Sequence, residues 1–212
     1  MGRPATNLLS RDLIVRTALE MVRRNGDFTI AGLATRLKVH ASSLYHHVPG
    51  GRTEIITLIR AELYSSIPLH TLADRSIPWA QRLRQWVLSY REVSAQAPWL
   101  VPVVIGQPVQ DGPTLAIYEA LLGLLDEAGI PEEQWVPVAT MLDIIVLGSA
   151  LDAASPVPLW PNAPKRYPHL AGIAAFQDTE GRKLKGLEVA VDAAISWVQA
   201  HSERSPSTPH RP

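Results

Sequence analysis

TIAGLATRLKVHASSLYHHV occupies residues 29–48, and two helical patterns run through it. Thr29 is an N-cap residue, and Ile30, Leu33, Ala34 and Leu37 follow the i, i+3, i+4, i+7 spacing that lines one face of a helix. Lys38 to His40 interrupt the pattern, which resumes with Ala41, Leu44 and Val48. Upstream, Ser10 caps a first helix carrying Ile14, Ala18, Met21 and Val22, and Asn25-Gly26 stops it. Downstream, Pro49-Gly50-Gly51 ends the third helix, and a fourth runs from about Arg52 to Ser65. The spacing predicts short helices around one apolar seam, the second and third joined by a tight turn.

On a wheel of about 100° per residue, Ala41, Leu44 and Val48 share the buried side of the third helix. Ser42, Ser43 and His46 point the opposite way, with Tyr45 and His47 on the flanks. Adjacent histidines diverge on a helix, so His46 and His47 are a poor pair for one metal ion. A general base needs an orienting carboxylate, and there is no Asp or Glu between Asp27 and Glu54. A merely solvated face leaves the surrounding basic charge without a purpose. A polar face with long flanking side chains suits a helix lying in the major groove of DNA.

The charge distribution agrees. Through Arg60 nine basic residues face four acidic ones, so that segment carries plus five and the remainder of the neutral 212-residue chain minus five. A basic segment of domain size beside an acidic one outlines a module that meets a polyanion and a module that does not. Cysteine is absent, which excludes disulfides, thiolate catalysis and Cys-bound zinc. The most apolar runs fall short of the roughly 20 residues of a membrane span and no signal core opens the chain, so a soluble, cytoplasmic protein is expected, with no membrane partner. Gly2-Arg3-Pro4 reads as an extended basic arm, with Arg3 suited to a narrow minor groove. No catalytic residue, metal ligand or cofactor site is identified.

Beyond Pro68 longer helical patterns fall near residues 78–97, 112–129, 132–154 and 179–200, and no alternation suggests a strand. The fold class is all-α: a helix-turn-helix domain over 1–65, a larger helical domain over 66–201, and a disordered tail over 202–212, with a Pro-rich connector at Ser155 to Pro168.

Ser10 to Leu63, through the Leu33-Ala34 pair, the turn ending at Val39 and the Ser-Leu-Tyr-x-His run from Ser43 to His47, resembles the helix-turn-helix domain of TetR-type transcriptional regulators. The resemblance implies a homodimeric regulator, most often a repressor, that releases double-stranded operator DNA when a small-molecule effector binds. It implies that Thr29, Tyr45 and His47 contact phosphates while Ala41, Ser42, Ser43 and His46 face base edges. Two departures stand out. His40 occupies a turn position where relatives carry a capping Ser or Glu, and Gly50-Gly51 adds a residue, which shifts the usual basic phosphate contact to Arg52.

All six tryptophans lie beyond residue 60. They serve either as core or, with Met141 and Phe176, as the lining of an apolar cavity; Trp86, Trp99 and Trp160 are candidates for that lining. Asp143 sits in TMLDIIVLG, where a buried carboxylate must find a partner or await a ligand group. Two faces look adhesive: the stripe Leu184, Leu187, Val191, Ala194, Ile195 and Val198, and the helix from Glu132 to Ala154 with its small residues Gly148, Ser149 and Ala150. The resemblance implies that these last two long helices form the dimer interface. The alternative reading is an all-helical small-molecule-binding or enzymatic protein whose basic N-terminus is incidental.

Overall fold

The structure, a computed structural model, describes residues 9–155, 166–173 and 179–202, and every regular element among them is helical. The described residues group into two compact units, one within Met1–Ser66 and Trp99–Leu115 and the other within Ile67–Pro98 and Ala116–Pro212.

In the first unit, α1 (Arg11–Asn25) starts where the Ser10 hydroxyl accepts from the Leu13 N–H and ends at Gly26, whose φ of 79° closes the helix. Ile14, Ala18 and Val22 are fully buried along it. α2 (Ile30–Leu37) begins with the Thr29 hydroxyl accepting from the Gly32 N–H at 3.0 Å. It stops at Lys38, a non-glycine residue in the left-handed region at φ 56°, a conformation that costs about 1–2 kcal/mol. This tight turn sets the direction of α3 (Ala41–His47), whose seven residues are too few to be helical alone. Burial of Leu44 and Val48, each 0% exposed, holds α3 in place. α4 (Gly51–Tyr64) packs against α1. Its first residue has φ 59°, and a β-carbon there would meet Tyr45 Cε1 at 3.0 Å, so both backbone and space demand glycine.

α6 (Val101–Val104) packs on α4. Pro102 sits in its first turn, where a missing N–H costs nothing. Arg60 of α4 then meets Asp111. Their side chains are 3% and 4% exposed, and Nε donates to Oδ2 at 2.7 Å. Arg60 Nη2 donates to the Pro108 carbonyl at 2.7 Å, and Asp111 Oδ1 accepts from the Thr114 N–H at 2.9 Å.

The second unit contains a 3-10 turn at Leu69–Ala73, α5 (Trp79–Gln96), most of α7 (Gly112–Glu127), α8 (Glu132–Ala153), α9 (Pro168–Ile173) and α10 (Thr179–His201). α5 packs along α8, and α10 packs on both. Trp86 is 1% exposed, and its indole N–H donates to the Ile117 carbonyl at 2.8 Å. Lys183 of α10 donates to the carbonyls of Ala153 and Ser155, a cation capping the α8 C-terminus.

Two sequence expectations need adjusting here, and a third falls on residues that the structure does not describe. α8 is by length and composition apolar enough to cross a membrane, although the sequence was read as holding no such run. The physical reason is that one face carries Val138, Leu142, Val146 and Ala150 into the core while another exposes Val136, Ile144 and Leu151. In α10, Leu187, Val191, Ala194, Ile195 and Val198 are buried within the chain itself, so Leu184 alone of the expected stripe is exposed, joined by Val189. Most of the Pro-rich connector and nearly all of the tail lie outside the described residues.

Removing one partner of a buried ion pair strands the other charge, so Arg60→Ala or Asp111→Ala is expected to destabilise the fold by about 3–5 kcal/mol in denaturant titrations. Burial alone would raise the Asp111 pKa, but hydrogen bonds from Thr114 and Arg60 and the charge of Arg60 hold it below the ordinary value of 3.8. The pair's contribution is therefore complete above that ordinary value and is lost as pH falls below it. Asp111→Asn should show a smaller loss of stability than the wild type on acidification below about pH 4.

Candidate functional site

The face presented by α3 follows from its two anchors. With Leu44 and Val48 fully buried, Ser42, Tyr45, His46 and His47 are exposed; Ala41, which the spacing put on the buried side, is exposed as well because it opens the helix, and Ser43, expected on the outer face, is half-buried. Tyr45 is 48% exposed and rests against Gly51, which limits where its ring can lie. His40, the residue before α3, makes no side-chain cap, so the departure noted in the sequence leaves that imidazole exposed. The Thr29 hydroxyl is an acceptor for Gly32, and its proton stays available to an anion. Lys38, which the sequence reading placed in the turn between α2 and α3 but not among the DNA contacts, is a further exposed cation.

Arg52 is placed differently from a free phosphate ligand. Its Nη2 donates to Asp27 Oδ1 at 2.8 Å, and its guanidinium lies over the Phe28 ring at 5.5 Å. The hydrogen bond from Arg52 is the main reason that the Asp27 pKa is lowered. Arg52 retains unused N–H groups, but its orientation is set by the α1–α2 turn. Arg3 lies outside the described residues.

In the second unit, Asp143 Oδ2 accepts a 2.7 Å hydrogen bond from the Tyr118 hydroxyl, while Oδ1 is buried without a partner. Burial is the main cause that pushes its pKa up to about 6, partly opposed by the Tyr118 hydrogen bond. Tyr118, on α7 and 25 residues away, carried no sequence signal linking it to Asp143. Two other buried polar atoms of this unit, Arg91 Nε and Ser94 Oγ, also have no partner. Of the remaining effector candidates, Trp86 is core, Met141 is half-buried, and Trp99 is half-buried but belongs to the first unit. Trp160 and Phe176 lie outside the described residues.

Residues 73–188 match the family described as "Tetracyclin repressor-like, C-terminal domain". An HTH-type transcriptional regulator of Saccharopolyspora erythraea is 26% identical over 144 residues, which is 67% of this chain and 60% of that regulator's own length. Among solved structures, apo ActR from Streptomyces coelicolor superposes with a TM-score of 0.70 at 22% identity, covering 91% of this chain and 97% of that one. ActR in complex with actinorhodin gives 0.68 at 22% identity, covering 90% and 98%.

The Asp143 pKa exceeds the ordinary 3.8, so the folded chain holds a proton more tightly than the unfolded one, and stability falls as pH rises through that window to about 6. Asp143→Asn removes the buried charge. It is expected to be more stable than wild type by about 3 kcal/mol near pH 7.5, with most of the difference gone by about pH 4, as measured by thermal unfolding across pH.

Proposed function

Because the chain belongs to the TetR-like family of transcriptional regulators, we propose that it acts as a cytoplasmic homodimeric repressor, binding a palindromic operator and releasing it when an apolar or aromatic small molecule binds. The observation that carries the DNA-binding part is the division of α3, where Leu44 and Val48 are fully buried while Tyr45, His46 and His47 are exposed. In this reading Thr29, Tyr45 and His47 hold phosphates, joined by the free donors of Arg52. Ala41, Ser42, Ser43 and His46 meet base edges, and Arg3 reaches the minor groove. Phosphate contacts set position and affinity, and base contacts set preference.

A dimer presents two copies of α3, and they read successive major grooves when about 34–36 Å apart. The exposed apolar residues Ile144 (69%) on α8 and Val189 (68%) on α10 support these helices as the interface. So does a shallow groove of about 270 Å³ lined by Ile145, Gly148, Leu187 and Ala190. The effector would work by favouring a dimer whose recognition helices are wrongly spaced. Differential binding of that kind is typically worth about 1–3 kcal/mol, a 5- to 150-fold loss of operator affinity.

Selection and sequencing of DNA fragments by the purified protein should return a palindrome, with affinity falling steeply as salt rises. Tyr45→Phe and His47→Ala are expected to weaken binding to every sequence, whereas His46→Ala shifts the selected site; unchanged selection by His46→Ala would remove that residue from base reading. The double variant Ile144→Glu/Val189→Glu should be monomeric by light scattering and bind the palindrome at least about tenfold more weakly.

A further inference from the structure

We propose that Asp143, oriented by Tyr118, is the receptor for a positively charged nitrogen on an otherwise apolar effector. This rests on the reading of the second unit as the effector-binding one. Three observations lead there.

Asp143 Oδ2 is already engaged by the Tyr118 hydroxyl, whereas Oδ1 is buried without a partner. A buried carboxylate oxygen normally has one. Second, among the described residues no ion pair reaches Asp143, and Arg91, the nearest cation in chain order on the packed helix α5, forms none with it. Third, its helical neighbours Leu142 and Val146 are fully buried, as is Ile117 beside Tyr118 on α7.

Burial raises the pKa only to about 6, so the group is mainly ionised at neutral pH. The site thus offers one open hydrogen-bond acceptor and one uncompensated negative charge. An ammonium group answers both with a charge-assisted hydrogen bond, a neutral hydroxyl answers only the first, and an anion is repelled. Tyr118 is a positioning residue, since its hydroxyl occupies Oδ2 and leaves Oδ1 for the ligand.

The test is a matched panel of phenyl, naphthyl and anthracenyl bodies, each as the methylammonium and as the methanol, bound to full-length protein near pH 7.5 by equilibrium dialysis. At least one ammonium should bind about tenfold or more tightly than its alcohol, the 1.4 kcal/mol of one charge-assisted contact. Asp143→Asn, which should fold at least as well as wild type, is expected to abolish that preference, ammonium affinity falling to or below that of the matched alcohol. Tyr118→Phe should reduce the preference without abolishing it. Equal affinity within every pair, a preference that survives Asp143→Asn, or a panel in which nothing binds would overturn the proposal. Salt-dependent DNA binding, measured on the same preparations, reports separately on the regulator reading, which stands or falls by that result.

Discussion

Arg60 and Asp111 are almost completely buried, and the ion pair between them constrains everything placed around it. Two charges removed from water are tolerated only when their remaining hydrogen-bonding capacity is met, and here the Pro108 carbonyl and the Thr114 N–H meet it. To do so, the segment before α7 must lie against α4, which is why Trp99–Leu115 groups with the N-terminal helices although more than thirty residues separate them in sequence. α4 is the hub of that unit. Toward its other end Gly51 lies beneath Tyr45, and Glu54 accepts from Arg11 and from the Gly50 N–H. The helix that buries Arg60 therefore also sets the placement of an exposed side chain of α3.

α7 gives this arrangement a second consequence. The carboxylate that pairs with Arg60 immediately precedes α7 and caps its first turn, and Tyr118, farther along the same helix, donates to Asp143. Asp111 thus fixes the start of α7 within the first unit, and Tyr118 serves Asp143 within the second.

Several of the features that look costly in isolation fall where the proposed functions need them. Lys38 holds a left-handed conformation that glycine would adopt more easily, yet a cation there stands beside α3. Asp143 keeps an unsatisfied buried oxygen in the second unit. α8 leaves Val136 and Ile144 in water, on a helix proposed to meet a partner subunit. Stability is commonly given up at binding sites in this manner.

The helices and their ends were legible in the sequence because the interactions that make them are local. Ser10 reaches Leu13, Thr29 reaches Gly32, and Gly26 closes onto Val22, all within a turn. The split of α3 into a buried Leu44 and Val48 and an exposed Ser42, Tyr45 and His46 follows from the same periodicity, so the candidate nucleic-acid face could be drawn from spacing alone. Pairings between distant residues could not. Nothing in the order of residues says that Arg60 takes Asp111 at a separation of 51, that Arg52 turns back to Asp27 at 25, or that Tyr118 finds Asp143. Nor does it say that most of the α10 stripe is consumed inside the chain. An apolar stripe buries itself equally well against its own chain or a partner, and a charge accepts any opposite charge that arrives. Only the packing of helices in three dimensions decides which one does.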